Sequence, residues 1–556
     1  MKNYLVLFSF VVLCSCKKTG SNVAPPPNAA ISALNCSSAT ASALATAGIT
    51  YAGNITVPYT GGNGLSYSVG SPISSTGVTG LTATLQAGTL QNGAGNFTYT
   101  VTGTPSESGT ASFAISFGGL SCSVALSVND LSLIQYGTPF GGVPDRQNAV
   151  IYQVNMRAFS SQGNFAGVTA RLDSIKALGV SVIYLMPIYP VGIVKSVNSP
   201  YCVRDYLGVG SEFGTLADLR TLVDGAHSRN MSVMLDWVAN HTSWDNAWIS
   251  SHKDWYEQDA NGNIISPPNT NFTDVAQLNF NNGAMRLAMI YDMKYWVYTA
   301  NVDGFRCDFA DNPPVDFWQQ AIDTLRNIST HKLLLLAEGS RSSNFTAGFD
   351  CNFGFGFYYG LKTIYSSNAS VTTIDNLNAT EYSNAANGQQ VVRYITNHDV
   401  NSSDGTPLSV FDGKSGSLAA FTIAAYMKSV PMIYNGQEVG MTTPITFPFT
   451  SVKIDWTTGQ DETAEYKKII AFRNSSAAIR QGDLISYSNT DICAFTKQKD
   501  AEEVLALVNV RNTSIDYTLP AALANTTWKD ALNGGSVALA NQVTLQPYQY
   551  MVLKNQ

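Results

Sequence analysis

Two rhythms of apolar and polar residues divide this chain. Between residues 31 and 130 they alternate, in runs such as Leu65-Ser66-Tyr67-Ser68-Val69, Phe97-Thr98-Tyr99-Thr100-Val101 and Ala111-Ser112-Phe113-Ala114-Ile115. A period of two is that of a half-buried strand, and the glycines between the runs mark turns. This stretch predicts a small immunoglobulin-like β-sandwich. From about residue 148 the alternation gives way to near-continuous apolar runs at 149–154, 180–186, 231–235, 301–305, 333–336, 391–395 and 431–434. Strands apolar on both faces are covered on both faces, as in a parallel sheet. Between them, residues 168–178, 216–227 and 284–298 carry apolar positions at helical spacing. Strand–helix units repeated over residues 131–482 predict a closed (β/α)8 barrel, with a small inserted subdomain at about 242–280 after the third strand. After residue 483 alternation returns, as in Val504-Leu505-Ala506-Leu507-Val508, and predicts a C-terminal β-sandwich over 483–556.

The N-terminus follows neither rhythm. Lys2 precedes a short apolar run at 4–13, too short to span a bilayer, as in an export signal. The run ends Leu13-Cys14-Ser15-Cys16, which resembles the lipobox of bacterial lipoproteins. That resemblance implies a signal peptide over 1–16, acylation of Cys16 and anchoring at the outer membrane, on either the periplasmic or the cell-surface face. An ordinary signal peptide cut before Ala24 is the other reading. Residues 17–30, with Pro25-Pro26-Pro27, read as a tether. Beyond this leader no segment has the length and apolarity of a membrane span, so the membrane enters only through the anchor.

Composition narrows the partners. Charged residues are 13% of the chain, Tyr and Phe number 27 and 25, and the formal charge is −7, so nothing offers the basic surplus that nucleic acid requires. A neutral glycan suits such a surface. Of the eight cysteines, Cys36 and Cys122 bracket the first folded region and suit a disulfide in an oxidising compartment. Cys202, Cys307, Cys351 and Cys493 lack metal-cluster spacing and read as buried small hydrophobes.

Candidate chemistry gathers in four segments: Asp236-Trp237-Val238-Ala239-Asn240-His241, Gly304-Phe305-Arg306-Cys307-Asp308, Leu335-Leu336-Ala337-Glu338-Gly339 and Thr396-Asn397-His398-Asp399. Each lies at the end of an apolar run, and barrel enzymes place their active site at the C-terminal ends of the strands. Arg306 and Asp308, two apart on a strand, share a face. A guanidinium beside Asp308 would depress its pKa, whereas burial after an apolar strand would raise that of Glu338. One ionised and one protonated carboxylate form the pair that cleaves glycosides.

These segments resemble the signature regions of the α-amylase family of glycoside hydrolases, over residues 148–555. Supporting stretches are residues 179–187, Phe213-Gly214-Thr215 and Tyr434-Asn435-Gly436-Gln437-Glu438. The resemblance implies Asp308 as nucleophile, Glu338 as general acid/base and Asp399 as the third carboxylate, holding sugar hydroxyls. It implies Arg306 as the orienter of Asp308, His241 and His398 as hydroxyl ligands, Tyr201 as the residue stacking on the same sugar, and Asp236 as a structural partner of Arg306. No cofactor is implied for the chemistry. Many relatives bind calcium through the asparagine corresponding to Asn240, which makes Asn240 the one nominated ligand of a structural Ca2+. Gln277 stands where an aspartate often sits, and Phe309-Ala310-Asp311 replaces a Lys-His pair common in calcium-dependent amylases.

The expected activity is retaining hydrolysis of α-1,4-glucosidic bonds in starch or maltooligosaccharides. An exo-acting α-glucosidase, cyclomaltodextrinase or transglycosylase on short α-glucans is the alternative, and a non-catalytic glycan-binding lipoprotein is the remote one. The N-terminal sandwich reads as a spacer or, less simply, a carbohydrate-binding module. Trp244, Trp248 and Trp255 form either a sugar-stacking wall or the core of the inserted segment.

Overall fold

The computed structural model describes residues 28–43, 45–48, 50–106, 108–129, 133–386 and 388–555 of the 556. The signal peptide, Cys16 and nearly all of the tether lie outside the described residues. Two compact units divide between residues 132 and 133.

The first unit is a pair of packed sheets. One joins Ala33–Leu34, Thr40–Ala41, Tyr51–Asn63, Asn92–Gly103, Leu81–Leu85 and Ile73–Ser74; the other joins Ala45–Thr46, Leu120–Asn129, Gly109–Phe117 and Thr76–Gly77. The alternation seen in sequence becomes an alternation of burial. Val57, Tyr59, Phe97, Tyr99, Val101, Phe113, Ile115, Val124 and Leu126 all point into the core between the sheets. Cys36 and Cys122 form a disulfide. The aromatic residues Phe97, Tyr99 and Phe113 are therefore consumed by packing, which leaves them no surface on which a sugar could stack.

In the second unit eight parallel strands close into a barrel in sequence order: β1 Ile151–Val154, β2 Val182–Leu185, β3 Ser232–Trp237, β4 Gly304–Cys307, β5 Leu334–Ala337, β6 Cys351–Phe353, β7 Gln390–Arg393 and β8 Val430–Tyr434. All but the first residue of β7 are fully buried, as strands enclosed by side chains inside and helices outside must be. Three sequence expectations are corrected. The run at 301–305 meets the strand only at its end: Asn301 is the left-handed cap of helix Gly283–Ala300, and β4 begins at Gly304. There a Cβ would lie 1.9 Å from the Leu334 carbonyl, so only glycine lets β4 approach β5. The helical run 168–178 is two short helices, Phe165–Thr169 and Leu172–Ala177. β6 has three residues and escaped the apolar-run reading altogether.

After β3 the chain leaves the barrel through His241–Ser243 and returns through Val275–Gln277, an antiparallel pair that carries the inserted segment. The C-terminal strands form a six-stranded sheet with a two-stranded partner. Its central strands are buried on both faces. Ile492, Ala494, Leu505 and Leu507 face the sandwich core, while Cys493, Phe495, Val504, Ala506 and Val508 join the barrel's core. Cys202, Cys307, Cys351 and Cys493 are all buried free thiols.

Candidate active site

Register builds the site. β3 and β4 are paired so that Asp236 lies directly beside Arg306, and β4 pairs with β5 through Cys307 and Ala337. One residue further on, the Glu338 N–H still donates to the Cys307 carbonyl (2.9 Å), which sets Asp308 and Glu338 side by side. Because side chains alternate along a strand, Asp236, Arg306, Asp308 and Glu338 all project to the inside of the barrel mouth.

Arg306 is the hub. Its Nη1 donates to Asp236 Oδ1 at 2.6 Å and to Asp308 Oδ1 at 3.0 Å, and its Nη2 contacts Glu338 Oε1. The guanidinium is fully buried, enclosed by the rings of Tyr184, Tyr201 and Phe353, and its carboxylate neighbours keep it protonated. Asp236 is tied down further by the hydroxyls of Tyr184 (2.6 Å) and Tyr201 (3.0 Å). Tyr201 also bonds His398 Nε2 at 2.7 Å, its ring roughly parallel to the imidazole, and Gln153 Nε2 lies 2.8 Å from the other ring nitrogen. An amide nitrogen can only donate, so Nδ1 of His398 accepts and its proton sits on Nε2. Burial, helped by the Arg306 charge, holds His398 down to about 4; burial does the same for His241 against the pull of the Tyr201 backbone carbonyl. Both imidazoles are neutral at ordinary pH.

The carboxylates correct the sequence reading. Asp308 was expected to be depressed by Arg306, but its pKa is raised well above the ordinary carboxylate range. Burial is the main cause and the charge of Glu338 the second; a single guanidinium, shared among three carboxylates, does not offset them. Glu338 does follow an apolar strand, yet its carboxylate is not in an apolar environment. It faces Arg306 and accepts the Phe309 N–H at 2.8 Å. Asp399 stands at the open side, its side chain 58% exposed.

Asp308, Glu338, Asp399, Tyr201, His241 and His398 line one pocket of about 680 Å³, within the range of small-ligand sites. Arg306 and Asp236 lie beneath it. The other walls were not foreseen: Phe272 from the inserted segment, Phe309 after β4, Phe355 after β6, and Phe447 and Phe449 after β8. Phe272 and Phe447 are 44% and 46% exposed. The tryptophans do not line it. Trp248 packs edge-on against Trp255, and Trp244 carries Lys195 on its face. Gln153 and Tyr184 were missed as well; a glutamine inside an apolar strand was the available signal for the first, while Tyr184 looked like any other core residue.

Asn240 lies beside this pocket, and its surroundings are not a cation's donor set. Its side-chain oxygen accepts from two amide nitrogens, Gln277 Nε2 at 3.2 Å and Asn312 Nδ2 at 2.5 Å. Among the described residues no three His, Cys, Asp or Glu side chains converge on a metal position. The residues present do not fit calcium there.

A closed parallel barrel with carboxylates clustered at its C-terminal mouth is the layout of a barrel enzyme. The family model for the α-amylase catalytic domain matches residues 136–500. Alpha-amylase 3 of Dictyoglomus thermophilum is 23% identical over 489 residues, 74% of this chain and 94% of that protein. Alpha-amylase MalA of Haloarcula japonica is 26% identical over 318 residues, 54% of this chain but 46% of its own length. The crystal structure of an α-amylase from Lactobacillus plantarum superposes with a TM-score of 0.65 at 26% identity, covering 74% of this chain and all of that one. This chain belongs to the α-amylase family of glycoside hydrolases.

Proposed function

We propose that the enzyme hydrolyses α-1,4-glucosidic bonds of starch or maltooligosaccharides with retention of configuration. The observation that supports this best is Arg306 holding Asp308 on one nitrogen and Glu338 on the other, at the floor of a pocket that Asp399 also lines. Two carboxylates gathered on one guanidinium favour the separation of about 5–5.5 Å used by retaining pairs over the ~6.5–9.5 Å that admits a water. In the first step Asp308 attacks the anomeric carbon. The glycosidic bond breaks with its electron pair on the leaving oxygen, which takes a proton from Glu338. In the second step a water gives its proton to Glu338 and its oxygen to the anomeric carbon, releasing Asp308.

Several features serve this cycle. Carboxyl groups outnumber the one guanidinium around the pocket and the two imidazoles are neutral, so the site holds no surplus positive charge, which suits an oxocarbenium-like transition state. Asp308, which burial pushes toward protonation, must be ionised to attack, and Glu338 must release Arg306 to bring a proton to the leaving oxygen. His241 and His398 bring no charge; with Nδ1 of His398 taken by Gln153, it is its Nε2 side, shared with Tyr201, that meets a hydroxyl. Tyr201 offers a ring face to the same sugar.

Products from soluble starch and from short maltooligosaccharides, sized early and read for anomeric form by NMR, test the reading, with Asp308→Asn as blank. Mixed-length α-anomeric products from starch support a retaining endo-amylase. Among relatives, Oligo-1,6-glucosidase of Halalkalibacterium halodurans is 31% identical over 197 residues, 29% of this chain and 34% of that protein. Glucose alone, or activity confined to short chains, would replace the endo-amylase with a glucosidase of that kind. Activity equal to the blank on every α-glucan would leave a glycan-binding protein.

A further inference from the structure

The Asn240 carboxamide uses every hydrogen-bonding position it has. Oδ1 accepts from Gln277 and Asn312, while Nδ2 donates to Gln277 Oε1 (3.1 Å) and faces His241 Nδ1 at 3.2 Å. An amide has two acceptor and two donor positions, so none is left for another ligand. The orientation of the cluster is set by backbone. Gln277 Nε2 has two hydrogens for three oxygens, Asn240 Oδ1 and the carbonyls of Asn240 (3.2 Å) and Leu278 (3.0 Å), so its N–H groups are shared among them, and its nitrogen end cannot be the end that meets Asn240 Nδ2. Asn240 must therefore turn its nitrogen toward His241. Asn240 is 0% exposed, His241 4% and Gln277 5%, while Asn312 reaches in from an exposed position.

Position explains why a tie is needed here. Asn240 ends the barrel segment after β3, Gln277 ends the strand that brings the inserted segment back, and Asn312 lies in the turn after β4. Gln277 is also the cross-strand partner of His241. One cluster thus fastens the inserted segment to two barrel strands at the point where a pocket residue emerges.

We propose that Gln277 and Asn312 stand in place of a bound cation, fastening the inserted segment without calcium and, through Asn240, holding His241 with its proton on Nε2. The second half follows from the first. Asn240 Nδ2 is a donor only, so Nδ1 of His241 is its acceptor, and a neutral imidazole then carries its single proton on Nε2. Gln277 and Asn312 are positioning residues, since they act on the pocket only through Asn240.

Two measurements on the full chain test this, and neither needs substrate, so they stand apart from the proposed activity. In the first, protein dialysed against EGTA is assayed for bound calcium and melted with and without added CaCl2. The expected result is no retained calcium and the same Tm in both; a Tm lowered by EGTA and restored by calcium overturns the proposal. In the second, 15N-histidine labelling reads the tautomers of the five histidines, with His241 assigned from His241→Gln. His241 is expected as the Nε2–H tautomer. Gln277→Ala, or Asn312→Ala should the first fail to fold, is expected to give mixed tautomers. An Nδ1–H tautomer in the wild type, or an unchanged tautomer in a folded Gln277→Ala, overturns the positioning role.

Discussion

Two buried polar clusters sit at the barrel mouth and solve opposite problems. Around Arg306, three carboxylates crowd one guanidinium; among the described residues Arg306 Nε and Gln153 Oε1 find no hydrogen-bond partner, and Asp308 is pushed toward protonation. Around Asn240, the groups are neutral and the central amide is saturated. A saturated network rigidifies; an unsaturated, overcharged one costs stability but has capacity left for a substrate. The difference teaches where to look for chemistry in such a fold: at the cluster whose groups are not at rest.

Substitutions should separate the two. The largest effect is expected from Asp308→Asn, which removes the nucleophile and lowers kcat by about 10⁴-fold or more. The same change should leave Tm unchanged or raised at neutral pH, because it relieves a buried carboxyl that burial and Glu338 make costly to ionise. A large fall in Tm would show that Asp308 belongs to the resting kind of cluster. Asp236→Asn is expected to lower stability by about 3–5 kcal/mol in denaturant melts, since it strips a fully buried guanidinium of a charged partner at 2.6 Å.

The Tyr152–Glu438 pair, bonded at 2.5 Å outside the pocket, is an intermediate case. Burial first, against hydrogen bonds from Tyr152 and backbone, raises Glu438 from 4.5 to about 7. A carboxyl raised on folding contributes stability that is fully present below its unfolded value and lost as pH rises through the folded one. Glu438→Gln should therefore gain on the wild type between pH 5 and 8.5, by at most about 3 kcal/mol, as read by urea melts at both pH values. The histidines run the other way. His241 and His398, lowered from 6.5 to about 4, contribute stability that is full above 6.5 and fades as pH falls toward 4, and replacing His241 by Gln should flatten that acid limb. The smallest effect is expected at the saturated cluster: Gln277→Ala, which leaves Asn240 with unmet groups, should cost about 1–3 kcal/mol with the chemical step largely spared. A greater loss of kcat than of stability there would erase the contrast between the clusters.

Much of this was legible in the residues themselves. Seven of the eight barrel strands announced themselves as apolar runs, because a strand enclosed on both faces has no polar side to show. β6 did not, since three residues flanked by Asp350 and Gly354 carry no period. The charged site residues were readable because they sit one to four positions past those runs. Phe272, Phe309, Phe355, Phe447 and Phe449 were not, because they reach the pocket from four separate loops and nothing local distinguishes a lining phenylalanine from a core one.

Sequence alone determined the barrel, its flanking β-domains and the set of carboxylates at its mouth, since strand period and strand-end position are local properties. Only the tertiary structure decided what those groups do to one another. The direction of the Asp308 shift depends on burial and on how many carboxylates share Arg306, and the fate of Asn240 on two amides brought from 37 and 72 residues away. Electrostatics and hydrogen-bond saturation are sums over neighbours in space, and the chain order does not contain them.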